Sequence, residues 1–491
     1  MTATYTATLP PLPSHEGWAV ALDDILAARD ARAARQQTMQ AACGVLISLT
    51  LTAPGAVKRS PLLDAVFQAA QQVVENTIPT PQAVNIHIDD CGHHALYRVD
   101  GDAHEWKRVM LALEAASPLA RLWDIDIIAA NGRPISRADC SLPPRRCLLC
   151  DDDAKTCARV RRHSIDDLNA DIARRYRLHQ QAEHIGAAMR QALITEATLT
   201  PKAGLVDASS NGGHHDMTLA HFLASADAIA PYLAACAARG MTFAADAASP
   251  AILAAIRPIG IQAEAAMLAA TGGVNTHKGA IFAFGLTAAA LGKNLAASGS
   301  ATLAQTLADI RAISANLAAE QGTGDSAGQR AYRQHHITGA RGAAADGYRL
   351  ITAHALPAYQ RILSASGSER HALLAVLVTL YAANDDTTTI ARVGLDGLRA
   401  HQEWAKRLLA DETTLMDEDR LSTAIAAYGR DCTARRLSAG GSADLLALTA
   451  YFGRHFPTSL PITEARPAAP AADNPNGIPA VPLMHNQKGT A

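Results

Sequence analysis

Asp124 and Asp126, in the run Arg121-Leu122-Trp123-Asp124-Ile125-Asp126, form the sharpest chemical feature of the first third of the chain. In an extended strand they share one face, while Trp123 and Ile125 point to the other. Adjacent carboxylates repel unless a cation lies between them. Mg2+ held by one or two carboxylates together with substrate phosphates is the usual resolution, which points to phosphoryl or nucleotidyl transfer. Arg29, Arg32, Arg35, Lys58, Arg121, Arg137, Arg145 and Arg146 could hold a diphosphate beside them. The same spacing also occurs on solvent-facing strands that bind no metal. Further along, Cys147, Cys150, Cys157 and His163 read C-x2-C-x6-C-x5-H. That is the residue set of a structural zinc site with a non-standard second spacing, and free or buried thiols are the other reading.

A second chemistry-bearing set lies in the later two thirds. Lys202 and Asp207, followed by His214 and Asp216, crowd one loop between helical stretches. Thr271-Gly272-Gly273-Val274-Asn275-Thr276-His277-Lys278-Gly279 precedes an apolar helix that Asn275 or Thr276 can cap. With His277 and Lys278 in its first turn, that helix offers free N–H groups, the positive end of the dipole and a cation, which suits phosphate. Asp385 and Asp386 follow one apolar helix, and Ser442 and Asp444 open another. Asp386 and Ser442 read equally well as N-caps. Together with Asp207, Asp216 and Glu264, these carboxylates could ring a Mg2+-triphosphate, with Asp385 and Asp386 as metal ligands. No G-x-x-x-x-G-K-[ST] motif occurs, which argues against a P-loop ATPase.

The elements that must position these groups divide the chain. Its 491 residues, 49% hydrophobic and 18% charged, suffice for two or more cores. A net charge of -2 gives no global attraction to nucleic acid or to an anionic membrane. The Thr- and Pro-rich start lacks the features of a secretory signal, and the apolar stretches Gly279 to Gly292 and Ala372 to Asn384 fall short of the roughly 20 residues of a membrane span, so a cytoplasmic protein is expected. Eight cysteines over this length do not form a disulfide framework. The first part mixes a helix over Gly17 to Ala41, a β-branched run Gly44 to Thr52, a helix from Ser60, a hairpin of Val84 to Ile88 with Ala95 to Val99, a helix around Trp106 to Leu113 and a strand Leu122 to Ile128. Ile165 to Arg177 connects to a region of helices only, including His184 to Leu199, Thr218 to Arg239, Ile261 to Ala270, Thr276 to Leu291 and Thr302 to Glu320. The expectation is a multidomain chain: an α+β domain over 1–177, an all-α domain over 178–460, and a Pro- and Ala-rich disordered tail over 461–491.

Two family resemblances attach to these residues. Arg29-Asp30-Ala31-Arg32 through Gln36, Ala53-Pro54-Gly55, Arg121 to Asp126, and Leu142-Pro143-Pro144-Arg145-Arg146-Cys147-Leu148-Leu149-Cys150 resemble the holo-citrate lyase synthases, or apo-citrate lyase phosphoribosyl-dephospho-CoA transferases, over about Leu9 to Asn169. The resemblance implies transfer of a prosthetic group to a serine of the lyase's acyl carrier (gamma) subunit. Asp124 and Asp126 would be the Mg2+ site, and metal and arginines would stabilise the expelled diphosphate. Pro201 to Asp207, His214 to Met217, Gly273 to Phe282, Thr338 to Gly342 and Gly441 to Leu446 look like the triphosphoribosyl-dephospho-CoA synthases over about His184 to Phe452. That family joins ATP to 3′-dephospho-CoA with loss of adenine.

Such a glycosyl transfer needs acid–base groups, for which His214, Asp216, Glu264 and Asp444 are candidates. Lys202, Lys278, Arg341 and Arg392 are candidate phosphate ligands, and Asn275, Thr276 and Ser442 can hydrogen-bond the sugar. The chain departs from that family's pattern with Ala343 and Ala345 in place of two glutamates, Thr388 in place of an asparagine and Val393 in place of a glycine; Asp346 is the nearest substitute carboxylate. The combined expectation is a bifunctional enzyme that builds the group and then attaches it. A malonate decarboxylase carrier as recipient, and a helical half that binds without catalysing, are the alternatives.

Overall fold

The structure, a computed structural model, describes residues 3–40, 44–246, 249–320 and 326–457. The first part contains α1 (Leu22–Gln40), β1 (Val45–Leu51), α2 (Pro61–Thr77), β2 (Ala83–Asp89), β3 (Gly92–Val99), α3 (Ala103–Glu114), β4 (Trp123–Ile128), β5 (Pro134–Ile135) and α4 (Ala154–Arg159). Its five strands form one antiparallel sheet in the order β2-β3-β1-β4-β5. Alternation gives the sheet two unlike faces. Val45, Ile47 and Leu49 of β1, Ala95, Tyr97 and Val99 of β3, and Ile125 and Ile127 of β4 are buried in one core with Leu63, Val66, Phe67, Ala70 and Val74 of α2 and Met110 of α3. The start of α2 is fixed locally: the Ser60 side chain accepts the Leu63 N–H, and Pro61 opens the first turn.

The opposite face is polar and lies under α1, which contributes no buried residue. In register, Ser48 pairs with Asp126 and Thr50 with Asp124. Half-buried Arg32, Arg35, Gln36 and Gln40 recur at helical spacing on α1. Gln36 Nε2 donates to Ser48 Oγ at 3.2 Å, and Gln40 Nε2 to the Ala129 carbonyl at 2.8 Å. Polar contacts of this kind, rather than apolar burial, tie α1 to the sheet.

The two helices expected at Ile165–Arg177 and His184–Leu199 are one, α5 (Ile165–Thr198), because Leu178 to Glu183 contains neither Gly nor Pro to break it. The expected boundary at residues 177 and 178 falls inside this helix. Ile172 belongs to the core of the sheet, while Leu178, Ala182, Ile185 and Met189 belong to the helical core. Thereafter every regular element among the described residues is helical: α6 (Leu219–Gly240), α7 (Ser249–Ala270), α8 (Lys278–Ser298), α9 (Leu303–Ser314), α10 (Ala327–His335), α11 (Gly339–Ala345), α12 (Leu356–Ser366), α13 (Glu369–Ala383), α14 (Thr387–Ala410), α15 (Glu412–Leu415), α16 (Glu418–Ala434) and α17 (Gly440–His455). α7 begins well before the expected Ile261, with Pro258 accommodated inside it. The expected tail, 461–491, lies outside the described residues.

The expectation that no segment is long and apolar enough to cross a membrane is corrected. α6, Pro250–Ala270 of α7, and α8 all satisfy length and composition. α8 outruns the apolar stretch read from the sequence because Lys293 and Asn294 continue it to Ser298, with Lys293 paired to Asp309 at 2.8 Å. It is largely enclosed by its neighbours, with fourteen buried residues from Ala280 to Leu295.

Against α6 the approach of α8 is close enough that a Cβ on Gly292 would lie 2.2 Å from the Ala237 carbonyl oxygen. Gly292→Ala is therefore expected to force the two helices apart and to cost about 1–3 kcal/mol. Thermal unfolding of the full chain checks this, and an unchanged midpoint would contradict the tight crossing.

Candidate active sites

On the sheet, β4 places Trp123 and Ile125 in the core and leaves Asp124 and Asp126 exposed on the polar face. Arg145 Nη1 lies 2.9 Å from Asp124 Oδ1, and its Nη2 donates to the carbonyls of Arg121 (2.5 Å) and Trp123 (2.7 Å). Arg121 in turn donates to the Arg146 carbonyl at 2.9 Å. Arg121, Arg137, Arg145 and Arg146 thus line one cavity of about 430 Å³. Asp126 keeps an exposed edge, but the packing around it removes part of its solvent; this pushes its carboxyl above the usual range, and the Asp124 charge adds to the effect, while Lys107, Arg32 and Arg145 oppose it. Arg32 therefore reaches the site from α1, whereas Arg29 lies on the exposed side of that helix.

Sequence reasoning missed Lys107 and Glu114. Lys107 Nζ donates to the Ile125 carbonyl at 3.0 Å, and Glu114 Oε1 accepts the Ile125 N–H at 3.0 Å. β5 is two residues long and pairs only with Ile127 and Ile128, so α3 side chains complete the edge of β4 between the two aspartates. The available signal was two charged residues on the buried stripe of α3, which includes Ala103, Met110 and Leu111. His94 was also missed. Its Nε2 is 3.2 Å from Ser48 Oγ, and burial, followed by Arg32 and Arg35, lowers its pKa to about 3. His94 Nδ1 and Arg35 Nε are buried with no hydrogen-bond partner, so the polar face has donors and acceptors to spare for a ligand.

In the helical region a cavity of about 700 Å³ is lined by Glu264, Asn275, Lys278, Arg341, Asp385, Asp386 and Asp444, among others. Lys278 Nζ pairs with Glu264 Oε2 at 2.8 Å. Asp444, in the first turns of α17, accepts the Ala280 N–H at the start of α8. That approach depends on Gly279, where a Cβ would lie 2.0 Å from Asp444 Oδ2. Burial raises the Asp444 pKa well above the usual range, with Glu196 and Asp386 adding repulsion and the Ala280 N–H opposing it.

Asp386 is fully engaged. Its Oδ1 accepts the N–H groups of Thr388 (2.9 Å) and Thr389 (3.1 Å) to cap α14, and its Oδ2 accepts Ser442 N (2.7 Å) and Oγ (3.0 Å). Ser442 is thereby a joint between α14 and α17. Asp385 is exposed and accepts from Gln402 at 3.1 Å. Asn275 Oδ1 accepts the Lys278 N–H at 3.3 Å, and Thr276 Oγ1 is buried without a partner.

Other expected residues lie away from the cavity lining. His277 is buried with its Nδ1 2.7 Å from Ser225 Oγ and its ring edge-on to Phe222; burial, then Lys202, holds its pKa near 3. Lys202 is buried in a pair with Glu196 at 2.6 Å, and Asp207 Oδ2 accepts the Lys202 N–H at 2.8 Å, which closes the loop. His214 sits between Arg392 Nη2 and Ser438 Oγ, each 2.9 Å away. Arginine can only donate, so His214 Nδ1 accepts and Nε2 carries the proton. Burial and Arg392 hold its pKa near 4, and Asp216 stands 3.8 Å off. Ala343 lines the cavity; Asp346 is exposed and accepts the Arg349 N–H at 3.1 Å. Tyr348, unanticipated, also lines the cavity. Its hydroxyl is buried without a hydrogen-bond partner, and its backbone has φ +54° just before a π-helical turn at Ile351–Ala355.

Known proteins share this two-part organisation. The family model for ATP:dephospho-CoA triphosphoribosyl transferase (CitG) matches residues 182–457, and that for apo-citrate lyase phosphoribosyl-dephospho-CoA transferase (CitX) matches residues 20–179. Protein CitXG of Haemophilus influenzae is 40% identical over 461 residues, covering 89% of this chain and 97% of that protein. A 2-(5″-triphosphoribosyl)-3′-dephosphocoenzyme-A synthase of Haemophilus ducreyi is 42% identical over 62% of the chain and 98% of its own length. A probable synthase of the same name from Vibrio cholerae is 43% identical over 54% of the chain and 86% of its length. The chain belongs to the family of fused CitX–CitG transferases.

A raised Asp444 pKa links folding to pH. The folded state holds the proton more tightly than the unfolded chain, so the contribution to stability is greatest below the unfolded pKa and is lost as pH rises through the folded value. Asp444→Asn keeps an acceptor for the Ala280 N–H and removes the titration. We expect it to flatten the fall in melting temperature as pH rises above the ordinary carboxylate range. A variant that loses stability in parallel with the parent would show that Asp444 is not the titrating group.

Proposed function

We propose that the helical region, 178–460, makes 2′-(5″-triphosphoribosyl)-3′-dephospho-CoA from ATP and 3′-dephospho-CoA. The sheet region, 1–177, then transfers phosphoribosyl-dephospho-CoA to a serine of the apo carrier subunit of citrate lyase. The observation that carries this reading is that each family match contains a cavity lined by cations suited to polyphosphate, with a carboxyl group of raised pKa nearby: Asp444 in the lining of the helical cavity, and Asp126 on the strand whose Asp124 is held by Arg145 of the arginine cavity. Both substrates are cytoplasmic metabolites, and the reading places the enzyme there.

In the first reaction the 2′-hydroxyl of dephospho-CoA forms a bond to C1 of the ATP ribose while the bond to adenine breaks. The hydroxyl loses a proton and adenine gains one. Asp444, whose surroundings favour its protonated form, is the group in the cavity suited to protonate the departing base; Glu264 can take up the hydroxyl proton. Lys278 and Arg341 face the triphosphate, and Asn275 offers an amide to the sugar. In the second reaction the carrier serine oxygen bonds to the phosphorus nearest the ribose, and diphosphate leaves with its charge met by Arg121, Arg145 and Arg146. Asp124 and Asp126 fit a divalent cation by donor chemistry, two hard oxygens on one exposed face. Mg2+ there would supply further charge stabilisation to the leaving diphosphate. Asp126, made more basic by loss of solvent and then by Asp124, is the acceptor for the serine proton.

Mass spectrometry of purified apo carrier protein incubated with this chain, ATP and dephospho-CoA tests the whole sequence. Adenine release without carrier labelling, or the reverse, isolates the failing half; absence of adenine would favour a helical half that only binds. Replacing both aspartates, Asp124→Asn with Asp126→Asn, is expected to abolish carrier labelling and leave adenine release intact. Equal loss of both activities would contradict the separation of the sites. Lys278→Ala is expected to raise KM for ATP about tenfold or more with a smaller change in kcat. Unchanged ATP kinetics would remove Lys278 from the phosphate site.

A further inference from the structure

The loop that carries Arg145 and Arg146 continues directly into Cys147 and Cys150, with Cys157 following in α4 and His163 in the turn before α5. One ligand atom from each of these four residues lies within 4.8 Å of all the others. Cys150 Sγ is 3.9 Å from Cys157 Sγ, and His163 Nε2 is 3.2 Å from Cys150 Sγ. A disulfide needs about 2.05 Å between sulfurs. A tetrahedral zinc with bonds of about 2.3 Å to sulfur and 2.0 Å to nitrogen has edges of about 3.8 Å between sulfurs and 3.5 Å between nitrogen and sulfur. The separations of 3.9 Å and 3.2 Å lie close to these edges, and 3.9 Å is far outside a disulfide.

The surrounding backbone is arranged to present these ligands. The N–H groups of Leu149 and Cys150 turn toward Cys147 Sγ, the Cys147 N–H donates to the Asp152 carbonyl at 2.8 Å, and the Ala154 N–H to the Arg145 carbonyl at 2.8 Å. Asp153 caps α4, accepting the Thr156 N–H at 2.8 Å, and so sets the direction of Cys157, which is buried.

We propose that Cys147, Cys150, Cys157 and His163 bind one zinc ion that clamps the arginine loop onto the sheet. With all four positions filled by protein, the site is structural and leaves no place for substrate. Its reach into the transferase site is short. The Arg146 carbonyl accepts from Arg121, and the Leu148 carbonyl accepts from Arg175 Nη2 at 2.9 Å, so fixing Cys147 and Cys150 fixes the segment whose Arg145 holds Asp124. The metal assignment stands on the four ligands alone; only the clamping role rests on the transferase reading above.

Elemental analysis of the full-length chain, purified without chelator or added metal, is expected to give about one zinc per chain. Cys157→Ser and Cys150→Ser should lower it to below about one fifth of that, while His163→Cys, which preserves four soft ligands, should retain it. Cobalt substitution should give the intense thiolate charge-transfer absorption of a tetrahedral site, lost in Cys157→Ser. Adenine release by the same preparations shows that the variants remain folded. Carrier labelling from pre-formed prosthetic group should fall about tenfold or more when the metal is removed. Wild-type protein with less than about one tenth of a zinc per chain and no cobalt–thiolate band, or with a Cys150–Cys157 disulfide found by mass spectrometry, would overturn the site. Stoichiometric zinc whose removal leaves labelling unchanged would overturn the clamping role.

Discussion

Moving a carboxylate out of water beside a second carboxylate costs free energy unless a proton or a cation offsets the charge, and both regions of this chain are organised around such a pair. On the sheet, Asp126 is raised by lost solvent and by Asp124; in the helical cavity, Asp444 is raised by burial, Glu196 and Asp386. The offsets differ. Arg145 and Arg32 stand beside the sheet pair, which also remains open to solvent on one side. For Asp444 the opposing contribution among the described residues is the Ala280 N–H at the start of α8, while Lys202 is committed to Glu196 and Lys278 to Glu264. A site that is open and flanked by guanidinium groups suits a metal-bound polyphosphate. One in which a backbone N–H opposes burial and two neighbouring carboxylates favours the protonated form of the carboxyl. The same repulsion therefore serves two chemistries according to what lies around it.

The strand pair was legible because alternation is a local property: once Trp123 and Ile125 must be buried, Asp124 and Asp126 have no other face. The fold class was legible for similar reasons, since strand and helix periods differ and the change near residue 178 is abrupt. What lay beyond reach were groups that answer a need created elsewhere in the fold. Lys107 and Glu114 are where they are because β5 is too short to satisfy Ile125, a fact about β5 rather than about α3. The glycines before α8 and Lys278 at its start suggested an open anion site; the helix start also receives the Asp444 carboxyl group from α17, and Gly279 is small to admit it. Local sequence described the socket and could not name its occupant.

Asp386 illustrates how a residue can line a cavity and still be unavailable to it. Five donors reach its two oxygens; four of them tie the start of α14 to itself or to α17, and the fifth is the Asn384 amide at 3.5 Å. Losing that carboxylate would leave buried donors unpaired at both helix starts, at about 1–3 kcal/mol each. Lys202 and Asp207 fall in the same class: polar, buried, and satisfied by neighbouring groups. His277 is held through Nδ1 by Ser225, while its Nε2 is buried without a partner. Their chemistry resembles that of ligand-binding groups because holding a loop and holding a phosphate draw on the same donors.

The unbroken α5 bears on why the two activities share a chain. A flexible linker would raise the local concentration of the intermediate without fixing a path, whereas α5 runs from one core into the other with no break between Ile172 and Leu178. Near its start, Asp171 holds Arg175, and Arg175 in turn bonds the carbonyls of Pro118 and Leu148. Leu148 lies in the arginine loop and Pro118 leads into β4. One buried guanidinium therefore joins the connecting helix to the arginine loop and to the turn that leads into β4. Fusion through a helix, rather than through a loop, makes the orientation of the arginine loop a property of the whole chain.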